Sequence, residues 1–71
     1  MLADIELAKL VHNNLTTARP VLRCILIRVN DGKVSLCGSL PSYYLRQLAV
    51  EQTKRIPGVR QIDDEISVKG H

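Results

Sequence analysis

Four residues of this chain carry the groups most used in metal binding and nucleophilic chemistry: Cys24, Cys37, His12 and His71. A structural zinc site needs four ligands at paired, close spacing. Here the two cysteines form no CxxC pair and the two histidines are distant from each other. No metal centre and no cofactor are expected. Serine, histidine and aspartate all occur, but no nucleophile elbow frames them. No glycine-rich loop with phosphate-binding spacing precedes a helix. Asp63-Asp64-Glu65 could pair carboxylates for acid–base work; the plainer reading is a solvated strand segment. His12 and His71 read as surface histidines, and no catalytic residue is expected.

With catalysis unsupported, recognition is the remaining task. Ten Lys/Arg face seven Asp/Glu, and residues 1–60 alone hold nine basic against four acidic side chains, a net of +5. Such an excess favours anionic partners, whether lipid head groups or nucleic acid. Its candidate lipid contacts are Arg19, Arg23 and Arg46 together with Lys54, Arg55 and Arg60, scattered through loops and the second helix. Tyr43 and Tyr44 are the only aromatic residues and open that helix. Tyr43 suits a lipid interface, where amphipathic rings settle, and the alternative for Tyr44 is partial packing in the core. Nucleic acid is not expected, because the chain has neither a GxxG loop nor an aromatic stacking platform. A second candidate surface, for self-association or another protein, is an open sheet face bearing Cys24, Leu26, Arg28, Ser35 and Cys37.

These side chains must be positioned by few elements. Seventy-one residues make one domain, residues 1–71. A chain of this size buries only about 60% of the surface exposed when unfolded. With 45% hydrophobic residues and no Trp or Phe, its core is to be built from Leu, Ile, Val and Ala. No apolar run approaches the ~20 residues needed to cross a bilayer. Asp4, Glu6 and Lys9 interrupt the start of the chain, which does not read as a secretory signal.

The strongest local signal is Asp31-Gly32, flanked by alternating hydrophobics on both sides, which predicts a β-hairpin. In that register Val29 faces Val34 and Ile27 faces Leu36. Ile25, Ile27, Val29, Val34 and Leu36 then share the core face. The same register puts Cys37 across from Leu26 and Cys24 across from Ser39, both thiols on the open face. Diagonal neighbours lie about 7 Å apart, at or beyond disulfide reach, so two free thiols are expected.

A first helix is predicted over residues 4–15, capped by Asp4, with Ile5, Ala8, Val11 and Leu15 as its stripe and Leu7 and Leu10 widening it. Pro20 stops any continuation. The first strand is expected over Val21–Val29 and the second over Lys33–Leu40. Ser42 is the candidate cap of a second helix whose stripe is Leu45, Leu48, Ala49, Gln52 and Ile56, ended by Pro57-Gly58. Val59–Lys69 is the last strand, with Ile62, Ile66 and Val68 apolar. Gly38, in mid-strand, marks a bulge or the close approach of a helix. The order is αββαβ, an α+β two-layer sandwich with a three-stranded sheet and two helices packed on one face. Its strand–helix–strand crossover should be right-handed.

Ile27-Arg-Val29, Asp31-Gly32, Val34-Ser-Leu36-Cys-Gly38-Ser-Leu40, Ala49, Ile56-Pro-Gly58-Val59, Ile62 and Ile66-Ser-Val68 together resemble the BON domain, a module of bacterial osmotically inducible and nodulation proteins. The similarity covers roughly residues 5–69. It implies the αββαβ fold and a non-catalytic role in binding phospholipid at the cell envelope. Family members usually carry the domain in exported proteins, often as tandem copies. A periplasmic or envelope location is therefore implied if this is an excised domain, and a cytoplasmic one if the chain is complete.

Overall fold

The computed structural model describes residues 3–69, so the reading of His71 lies outside the described residues. The elements are α1 (Asp4–Ala18), a 3-10 segment (Pro20–Cys24), β1 (Leu26–Asn30), β2 (Lys33–Leu40), α2 (Tyr43–Lys54) and β3 (Gln61–Val68). The sheet order is β1-β2-β3, with β1 antiparallel and β3 parallel to the central β2. This is the expected αββαβ arrangement.

Asp31 (φ 51°) and Gly32 (φ 82°) both adopt left-handed backbone, as the two-residue turn of a twisted hairpin requires. Val29 pairs with Val34 and Ile27 with Leu36, as the register predicts. Ile25, Val34 and Leu36 are buried, and Ile27 and Val29 pack half-buried against the same core. A Cβ on Gly38 (φ 147°) would stand 3.3 Å from Ile25 Cδ1 and 3.5 Å from the Cys24 carbonyl oxygen. The close approach there comes from the segment entering β1, rather than from a helix.

The first strand is shorter than expected. Pro20 has a fixed φ and no amide hydrogen, which suits the start of a tight helix. Residues Pro20–Cys24 accordingly form a 3-10 turn, held by Leu22 N–H donating to Arg19 O (3.0 Å) and Ile25 N–H to Leu22 O (3.1 Å). The turn buries Leu22 and leaves Val21, Arg23 and Cys24 exposed, a pattern that strand alternation could not produce. Cys24 is therefore off the β1–β2 ladder, though its thiol still meets Ser39, the residue expected across from it. Cys24 and Cys37 are free thiols, both exposed, and the Cys24 Sγ–H reaches the Ser39 carbonyl at 3.7 Å.

α1 runs three residues beyond the expected Leu15 and stops where Arg19, preceding Pro20, turns extended. Its core stripe is Leu7, Val11 and Leu15. Ile5, placed in the stripe by spacing, is 67% exposed. At 100° per residue it lies roughly 120° around the axis from the centre of the buried three. Leu10 is likewise exposed. Asp4 is not the cap either: Ala3 holds that position without a side-chain bond. The Asp4 carboxylate instead accepts from Asp31 N–H, at 3.2 and 3.4 Å, and ties α1 to the hairpin turn.

α2 begins as expected, with Ser42 Oγ accepting from Leu45 N–H at 3.2 Å. Ala49 and Thr53 are its fully buried residues, and Gln52 is half-buried. Thr53 Oγ1 meets its burial by donating to Ala49 O at 2.8 Å. Both helices pack on the face carrying Val34, Leu36, Leu40 and Ile66. β3 starts beside Lys33 and ends beside Leu40. The domain thus has a turn end, with Asp31-Gly32 and Pro57-Gly58, and an opposite end where α1 finishes and α2 starts. The twelve residues of α2 separate them by roughly 18 Å at 1.5 Å per residue.

Candidate functional site

The six candidate cations divide between these two ends. Arg19 closes α1, Arg23 lies on the 3-10 turn and Arg46 on the first turn of α2, all at the α2-start end. Lys54 and Arg55 finish α2 and Arg60 leads into β3, at the turn end. The fold does not bring all six into one patch.

At the α2-start end the backbone does the positioning. Ser42 caps the helix, which puts Tyr43 and Tyr44 in its first turn, and each residue is 61% exposed. Partial core packing of Tyr44 is therefore not observed. The Arg19 guanidinium lies 5.8 Å from the centroid of the Tyr44 ring, and that of Arg46 lies 5.5 Å from Tyr43. Both are within the range in which a ring quadrupole attracts a cation. Arg46 is held from its other side too, its Nε donating to Asp64 Oδ2 at 3.0 Å.

That ion pair corrects the reading of the acidic triplet. The parallel register places Ile62, Asp64 and Ile66 on the same face as Val34, Leu36 and Gly38, beneath the helices. Asp63 and Glu65 face the open side. Asp64 is half-buried, and its Oδ1 accepts from Ile66 N–H at 3.1 Å while Oδ2 takes Arg46. The only sequence signal for this was the triplet's position between Ile62 and Ile66, which puts its middle member on their face. Lys69, just past β3, also lies at this end, its N–H donating to Leu40 O at 2.9 Å. It was not among the expected contacts.

The turn end carries a cleft of about 410 Å³ between α1, the hairpin turn and the loop after α2. It is lined by Leu7, Gly32, Pro57 and Gly58 together with the charged Asp4, Asp31 and Arg60. The open sheet face bears Leu26, Arg28, Ser35 and Cys37 as expected, joined by Glu65. Leu26 is 56% exposed there. Among the described residues no group of three or more His, Cys, Asp or Glu side chains could hold a metal ion.

Residues 25–70 match the family model described as BON domain. No curated protein matches the chain. The matched segment takes in the hairpin, α2 and β3, and leaves out α1 and the whole of the 3-10 turn, where Arg19 and Arg23 lie.

Proposed function

Since the chain belongs to the BON domain family, a family of non-catalytic binding domains linked to phospholipid, we propose that it is a peripheral module docking on anionic phospholipid at an envelope surface. The observation that carries this reading is the distribution of charge. Cations project from both ends of the helical layer, whereas two of the three acids of β3 face the open side of the sheet and the third is bound to Arg46. The two ends offer alternative contact sets: Arg19, Arg23, Tyr43 and Arg46 at one, or Lys54, Arg55 and Arg60 at the other. Each Lys or Arg held near an anionic surface contributes about 1 kcal/mol, so a handful suffices for reversible docking. No helix among the described residues is long and apolar enough to cross a membrane.

Co-sedimentation with phosphatidylcholine vesicles, with and without phosphatidylglycerol, tests the proposal at moderate salt. Pelleting with the anionic vesicles alone is expected, weakening as salt screens the contact. Failure to pellet with either vesicle overturns it.

A second reading is favoured by one observation, the exposure of Leu26 beside Cys37 and Arg28 on a sheet face that neither helix covers. That face would pair with a second copy or another protein. Light scattering across concentration checks self-association: a strict monomer, unchanged by Leu26→Asp, speaks against pairing with a second copy.

A further inference from the structure

We infer that the bilayer is met by the α2-start end of the domain, with the Tyr43 and Tyr44 rings at headgroup depth and Arg19 and Arg23 on lipid phosphates. This rests on the phospholipid reading above and specifies which of the two basic ends is used.

Charge separates the ends. At the turn end Lys33, Lys54, Arg55 and Arg60 are matched by four acids, Asp4, Glu6, Asp31 and Glu51, and Lys54 is paired with Glu51 at 3.7 Å. The potential of that end is close to balanced. At the α2-start end Arg19, Arg23, Arg46 and Lys69 stand against two acids of β3: Asp64, already bonded to Arg46, and Glu65, which faces the open side of the sheet. No ion pair among the described residues engages Arg19, Arg23 or Lys69. Among the described residues, this is the end with an unbalanced positive field toward an anionic surface.

The aromatic residues separate them a second time. Both tyrosines of the chain sit at this end, well exposed, and Val21 is exposed beside Arg23 on the 3-10 turn. Rings with an apolar body and a polar tip collect at the membrane interface. Cations and rings are also geometrically compatible with phosphate. A guanidinium lying against a ring uses its face, and its in-plane N–H groups remain free to fork onto phosphate oxygens. The Arg19 guanidinium carbon, 5.8 Å from the Tyr44 ring centroid, is near enough for ring and cation to meet the same interface together. Arg46 is a positioning residue here, since its Nε belongs to Asp64 and its guanidinium braces Tyr43.

The test exploits the chain's lack of tryptophan: tyrosine emission reports this end alone. The full chain is mixed with phosphatidylcholine:phosphatidylglycerol vesicles, and acrylamide quenching of emission is read beside co-sedimentation. Bound protein should show shielded emission. Arg19→Gln with Arg23→Gln should weaken vesicle association roughly 25-fold, about fivefold per cation. Lys54→Gln with Arg55→Gln should change it less than about threefold, because those cations lie away from the contact. Tyr43→Ser with Tyr44→Ser gives an independent arm and should also weaken association. Vesicle-bound protein with unshielded emission, or loss confined to the Lys54/Arg55 variant, overturns this docking end while leaving phospholipid binding intact. No pelleting of wild-type protein with any vesicle overturns both.

Discussion

Arg46 of α2 and Asp64 of β3 meet at 3.0 Å beneath the helical layer, joining the first turn of one element to the middle of another. The Arg46 and Asp64 side chains retain 33% and 26% of their exposure, which places the pair between surface and buried ion pairs. Asp64 holds the Ile66 amide with its other oxygen, so its removal breaks two bonds. Asp64→Ala should destabilise the domain by about 1–2 kcal/mol, and Arg46→Ala by less. Urea melts of both single variants and the double variant would give a coupling energy below the cost of Asp64→Ala alone; a coupling of zero would show that the pair contributes nothing.

The Asp4 carboxylate and the Asp31 amide join the start of α1 to the hairpin turn. Both residues are exposed, so Asp4→Ala should cost only about 0.5–1 kcal/mol of global stability. The local consequence is larger. Hydrogen exchange of the Asp31 amide should accelerate, while the β1–β2 ladder amides slow or speed only with global stability.

Gly32 is doubly constrained. Its φ of 82° suits glycine, and an added Cβ would stand 2.7 Å from Arg60 Cδ and 2.9 Å from Cγ. The Arg60 side chain can move aside, so the cost is mainly backbone strain. Gly32→Ala should lower stability by roughly 1 kcal/mol, and Gly32→Asn by less, since Asn tolerates left-handed backbone. An unchanged denaturation midpoint for Gly32→Ala would contradict this account of the turn.

Leu36 is fully buried on the central strand, on the sheet face beneath the helices. Leu36→Ala should cost about 2–5 kcal/mol through lost burial and the cavity left behind. For a domain of this size that approaches total stability. Circular dichroism at 25 °C should show substantially unfolded protein, whereas Leu26→Ala, on the open face, should melt close to wild type.

What could be read from sequence was local. The hairpin register needed only a turn pair and two alternating runs, and both act within a few residues. α2 was legible for the same reason, through Ser42 and the stripe around Ala49. Errors arose where a partner distant in sequence decided the outcome. Asp4 looked like a cap until the hairpin turn came within reach of its carboxylate. Val21–Cys24 has strand-forming residues, yet Pro20 and the burial of Leu22 wound it into a 3-10 turn. Ile5 fits a helical stripe, but the sheet meets α1 along Leu7, Val11 and Leu15. The cation–ring pairs were invisible for a related reason: Arg19 and Tyr44 are brought together only by the packing of α1 against α2.

The placement of both tyrosines outside the core has a practical consequence for spectroscopy. The chain has no tryptophan, phenylalanine or disulfide to give other near-ultraviolet signals. Its only chromophores in that region already face water in the native state. Aromatic dichroism should therefore stay weak and nearly flat through a melt, even as the sheet dissolves cooperatively. A silent near-ultraviolet trace from this protein would be the signature of where its rings sit, and not of a molten interior.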